Sequence, residues 1–175
     1  MKIAFLLFLM AVMQPAFSQM HPVPAESAIN FSLHNFGFKT GGRLDPPEGD
    51  IVFQPEDPAS SYFRVTIKAA SINTDNESRD EHLREVEYFD VKNYPDIKFV
   101  SESIRSVNNK GDFEASGKLT IKKTTRDISL PFHAEKSGTG YVFTGRFTMN
   151  RRDYGIGGSS TISNELSVDI KVTAR

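Results

Sequence analysis

Apolar residues along this chain fall mostly at every second position, the period of a strand with one buried face. Ile29, Phe31 and Leu33 alternate with Asn30, Ser32 and His34. Phe63, Val65, Ile67 and Ala69 share one face of segment 62–70, and Arg64, Thr66 and Lys68 share the other. The cleanest case is 165–173, where Leu166, Val168, Ile170 and Val172 alternate with Ser167, Asp169, Lys171 and Thr173. Further strand signals lie around Phe38 and at 50–54, 97–103, 112–122, 126–135 and 140–150. The segments between them carry turn residues: Asp45-Pro46-Pro47-Glu48-Gly49, Asn108-Asn109-Lys110-Gly111, and Lys136-Ser137-Gly138-Thr139-Gly140. Residues 20–26, with two prolines, form an extended lead-in.

One segment breaks the period. Residues 74–86 are rich in Glu and Arg and predict a surface helix. Thr74 and Glu77 fit a capping box, and Leu83 and Val86, three residues apart, supply its only apolar face. The whole pattern therefore predicts an all-β chain of about eight strands with one short crossover helix. Short connections make neighbouring strands antiparallel. A sandwich and a closed barrel both satisfy this pattern.

Composition narrows the picture. The chain has 175 residues, enough for one domain, and a net charge of −1 gives it no electrostatic reason to bind nucleic acid. Its 14 Phe residues demand a large buried surface. It has no Cys, so disulfides, thiolate nucleophiles and Cys-ligated zinc are excluded. The first residues read as a secretory signal peptide: Lys2, an apolar run over 3–13, then Pro15 and Ala16-Phe17-Ser18. Cleavage after Ser18 leaves 19–175 as the mature, exported domain, with no stable membrane insertion. The apolar run is too short to span a bilayer comfortably.

Candidate chemistry is sparse. His34 and His133 lie on the polar phase of their strands, His21 lies in the lead-in, and His82 on the helix has only Glu85 as a same-face neighbour. No third ligand completes a metal site, so no metal is expected. There is no G-x-S-x-G elbow, and Gly157-Gly158-Ser159-Ser160 reads as a turn before the last strand. No catalytic residue and no cofactor is assigned.

The run Arg79-Asp80-Glu81-His82-Leu83-Arg84, followed by Tyr88-Phe89-Asp90-Val91 and Tyr94-Pro95-Asp96-Ile97-Lys98-Phe99, closely resembles the YceI-like family. So do Ala70-Ser71-Ile72-Asn73-Thr74, Gly117-Lys118-Leu119-Thr120-Ile121 with Thr124-Thr125-Arg126, and Asn150-Arg151-Arg152-Asp153-Tyr154-Gly155. Tyr88 and Tyr154 stand where the family usually has Phe. The resemblance implies a periplasmic or secreted location and a lipocalin-like, eight-stranded antiparallel barrel that binds a polyisoprenoid or isoprenoid quinone in its pore, without cofactor chemistry. Two roles stay open for Arg79, Asp80, His82, Arg84, Asn150, Arg151 and Asp153: bracing the barrel rim, or touching a lipid head group.

A strand of about eight residues is roughly 26 Å long, and tilted in a barrel it encloses roughly 20 Å of tunnel. The inward set expected to line it is Ile29, Phe31, Leu33, Val65, Ile67, Phe99, Leu119, Ile121, Ile128, Leu130, Phe132, Phe143, Phe147, Val168 and Ile170. The leading expectation is a lipid-binding or lipid-carrying protein, not an enzyme, working as a monomer or weak homodimer. Two alternatives are a stress or protein-interaction module with a filled barrel, and a hydrolase or isomerase acting on a bound lipid.

Overall fold

The computed structural model describes residues 18–108, 110–157 and 162–175. Residues 1–17, which carry nearly all of the expected signal peptide, lie outside these, as does most of the Gly157-to-Ser160 turn. The period-two segments become β1 (Ala28–Asn35), β2 (Phe38–Leu44), β3 (Glu48–Val52), β4 (Tyr62–Lys68), β5 (Asp96–Ser106), β6 (Asp112–Ile121), β7 (Thr124–Ser137), β8 (Gly140–Asn150) and β9 (Glu165–Ala174). Among the described residues one α-helix, α1 (Glu77–Arg84), lies between β4 and β5.

All nine strands join one antiparallel sheet in the order β2-β1-β9-β8-β7-β6-β5-β4-β3. The count among the described residues is nine where about eight were expected, and the two short strands on either side of Pro46-Pro47 go to opposite edges. β2 pairs with β1, and β3 pairs with β4. Proline has no N–H to give a ladder, so the chain leaves one edge there and restarts at the other.

The sheet curls into a half-barrel, so that Leu44 at one edge and Ile51 at the other face the same interior. Two main-chain straps hold the curl. At β2, Arg43 and Asn73 exchange backbone hydrogen bonds of 2.8 and 3.0 Å. At β3, Met20 and Ile51 do the same at 2.8 and 2.9 Å, and the lead-in then runs on to bond Thr173 of β9 and Arg175 just beyond it. The lead-in is therefore a tie between β3 and β9.

The helix is shorter than predicted. It starts at Glu77, and its N-cap is Asn76, whose side chain accepts from the Arg79 N–H at 3.0 Å. Thr74 is not the cap. It is buried, and its hydroxyl donates to Asp80 instead. Val86, expected to share the helix's apolar face with Leu83, lies past the helix end and is 67% exposed.

Candidate functional site

At one end of the half-barrel the inner face is filled by rings. Phe53, which follows β3, sits with its centroid 5.0 Å from Phe113 and from Tyr141, 5.2 Å from Phe143, 6.0 Å from Phe132 and 6.5 Å from Phe63. Most of these contacts are edge-to-face, the arrangement that ring quadrupoles favour. This plug closes the end where β3, β5 and β7 finish and β4, β6 and β8 begin.

Beyond the plug the interior opens into a cavity of about 270 Å³. All fifteen residues of the predicted inward set lie on its wall. They do so because alternate residues of a strand share one face, and the curl turns that face inward. Those near the plug, such as Phe132 and Phe143, are buried, whereas Phe31, Leu33, Ile128 and Phe147 keep partial exposure. The cavity is thus open towards the end that carries α1 and the β1–β2 hairpin. The space is a blind pocket on the plug, rather than a tunnel open at both ends.

The wall includes residues that sequence reasoning left out. Phe63, Ile97, Met149, Leu166 and Val172 continue the same alternation, and extending the period by one step would have found them, whereas Ile51 lies on β3, which gave no residue to the expected set. Ile72, Leu83, Tyr88, Phe89, Ile156 and Ile162 come from the helix and loops, where no period marks them. Asn35, Thr40, Thr74, Arg79 and Arg151 add polar groups to the wall.

These polar residues are mostly occupied in bracing the fold. The Asp80 carboxylate accepts from the Thr74 N–H at 2.9 Å and its hydroxyl at 2.5 Å. That hydroxyl bond holds Asp80 below the usual carboxylate range, against the opposing effect of burial, with Arg84 and Arg79 adding to the lowering. Arg79 donates to the Thr74 hydroxyl and carbonyl, both at 2.7 Å, and Arg84 donates to the carbonyls of Ala70 and Ile72. Together they bind α1 to the segment after β4. His82 stands edge-on to Tyr88, with 5.0 Å between centroids.

The second polar motif behaves alike. Asn150 caps a single turn of 3-10 helix, Arg151–Tyr154, by accepting from the Arg152 N–H at 2.9 Å. Arg151 is 5% exposed and donates to the carbonyls of Ser163, Ile156 and Ile162 and to Asn164 Oδ1. Burial, and then the nearby Arg152 charge, lower its pKa. Tyr154 is buried behind it, and burial pushes its hydroxyl up to about 12. Asp153 offers its backbone carbonyl to Arg126. Among the described residues, no three His, Asp or Glu side chains gather as metal ligands. No helix there is long and apolar enough to cross a membrane.

The model of the YceI-like domain family matches residues 21–174. A UPF0312 protein of Pseudomonas putida (strain F1) is 31% identical over 155 residues, covering 82% of this chain and 78% of its own. The crystal structure of Burkholderia cenocepacia BcnA superposes with a TM-score of 0.82 at 22% identity, covering 88% of this chain and 99% of that one. A polyisoprenoid binding domain from Saccharophagus degradans, implicated in plant cell wall breakdown, gives a TM-score of 0.71 at 14% identity, over 91% and 99%. At these identities the two structures speak for the fold, which is the expected lipocalin-like antiparallel architecture.

Proposed function

Because this chain belongs to the YceI-like domain family, we propose that it binds, and carries or stores, a long apolar lipid such as a polyisoprenoid or isoprenoid quinone in the half-barrel. One observation carries this reading: inward residues from strands across the whole sheet surround a space that no side chain fills. Its volume of about 270 Å³ lies just below the usual range of small-molecule sites, roughly 300–1,000 Å³, and suits a slender chain better than a bulky ring system. Each buried methylene contributes about 0.8 kcal/mol. A few isoprene units therefore reach micromolar affinity without a strong polar contact, even after the costs of association.

The filled-barrel alternative fits only the plugged end. A binding protein is favoured over a lipid-processing enzyme by the character of the wall. Among the described residues its ionisable groups are Arg79, Arg151 and Tyr88, with no carboxylate or imidazole placed to act as general acid and base. With a leader at 1–18, the mature protein works in the periplasm or outside the cell. The test is to purify the protein, extract it with organic solvent and analyse the extract by mass spectrometry. A prenyl lipid in the extract, or uptake of an added isoprenoid, is expected. No lipid recovered and no uptake would refute the reading.

A further inference from the structure

The half-barrel wall has a split. The β7–β8 ladder runs from Ser137 opposite Gly140 only as far as Phe132 opposite Gly145. Both strands continue well beyond that point, but each pairs only on its other side. β7 stays with β6 down to Thr124, and β8 stays with β9 up to Asn150. Residues 124–131 and 146–150 therefore face each other with no ladder pair.

Pro131 explains where the ladder stops. A Cβ added to Gly145 would lie 2.7 Å from the Pro131 carbonyl oxygen, so that carbonyl points at β8. The N–H and C=O of one strand residue point to the same side, so the donor that Pro131 lacks is also the one β8 would have used. Past this point no register joins the two strands, and the turn Arg151–Tyr154 follows the end of β8. Arg126 Nε reaches the Asp153 carbonyl there at 3.4 Å.

The split lies between an outer groove and the cavity, and two residues border both. An outer groove along it is lined by Asp127, Ser129, Thr148 and Asn150, together with Ile128 and Met149. Ile128 and Met149 also line the inner cavity. They are inward-facing residues that can be reached from outside at this seam. The groove itself is polar, through the side chains of Asp127, Ser129, Thr148 and Asn150.

Building on the lipid-binding reading, we propose that the β7–β8 seam is a lateral port. The hydrocarbon tail passes between the strands, past Ile128 and Met149, and the head group stays in the polar groove outside. This removes any need for a polar head to cross the apolar interior, which is costly without hydrogen-bond partners.

The chain has no native Cys, so a thiol bridge can be placed cleanly. Extending the register beyond Phe132–Gly145 brings Ser129 opposite Thr148. The variant Ser129→Cys/Thr148→Cys, oxidised or joined by a short bis-maleimide and verified by mass, is loaded with a C20 isoprenol that carries a fluorescent head-group label. The bridged protein is expected to load roughly tenfold or more slowly than the unbridged protein, with the same amount bound at equilibrium. Pro131→Val, which restores the N–H and lets the ladder extend, is expected to slow loading without any bridge. Equal rates in bridged and unbridged protein, or an unchanged rate in Pro131→Val, overturn the port. Failure of the unmodified protein to bind the probe at equilibrium instead overturns the lipid reading, and the port with it.

Discussion

Asp80 shows how one side chain can look like a ligand contact and work as a brace. It is 6% exposed, yet its carboxylate is satisfied by Thr74 and flanked by Arg79 and Arg84. Its folded-state pKa is lowered, so its contribution to stability is fully present above the ordinary carboxylate pKa. That contribution is lost as pH falls through the lowered value. Thermal melts from pH 6 down to pH 2 are expected to show a steeper loss for the native chain than for Asp80→Asn, whose own melting point is lower at neutral pH. Parallel pH curves would refute this. Phe36 makes the opposite case, a residue at odds with its backbone. It and Gly37 form the β1–β2 turn with φ of 49° and 81°, and the residue is 72% exposed. A left-handed backbone costs a bulky L-residue about 1–2 kcal/mol, and Asn tolerates it far better. Phe36→Asn is therefore expected to stabilise the protein by about 1 kcal/mol in urea unfolding.

At the scale of elements, what the sequence made legible follows from its periods. Strand alternation is local, and curling the sheet turns every alternating face the same way. Ile29, Phe99, Leu119 and Val168 could thus be placed on the cavity wall without knowing the strand order. The helix start was misread because Thr74 and Asn76 are both good caps two residues apart, and only the tertiary bond from Thr74 to Asp80 decides between them. The aromatic plug was not legible either. Phe53 follows Ile51 by two residues in the expected strand 50–54, but its ring partners come from β4, β6, β7 and β8, and alternation along one strand does not show which rings meet. Phe53→Ala removes the ring that all of them pack on, and a cost of about 3–5 kcal/mol is expected, read as a lower urea midpoint. The same substitution deepens the blind end, so the variant is also expected to accept a longer isoprenol than the native chain.

At the scale of the molecule, the cavity wall is assembled from strands at opposite edges of one sheet, with short straps such as Arg43–Asn73 and Met20–Ile51 holding the curl. Such a half-barrel leaves its inner face partly wet when empty, and a bound chain removes that surface from water while touching both edges at once. Any ligand that binds the folded chain alone stabilises it by mass action, by about 2.7 kcal/mol at a hundredfold excess over Kd. For a domain of this length each kcal/mol raises Tm by about 2–4 °C, so a rise of about 5–10 °C is expected. The measurement compares solvent-extracted, refolded protein with and without a saturating C20 isoprenol by scanning calorimetry. Because the contacts are apolar, the rise is expected to persist in 1 M salt, where a head-group ion pair would be screened. A shift abolished by salt would move the binding from the hydrocarbon wall to the charged groups, and no shift at saturation would mean that the wall does not hold the chain.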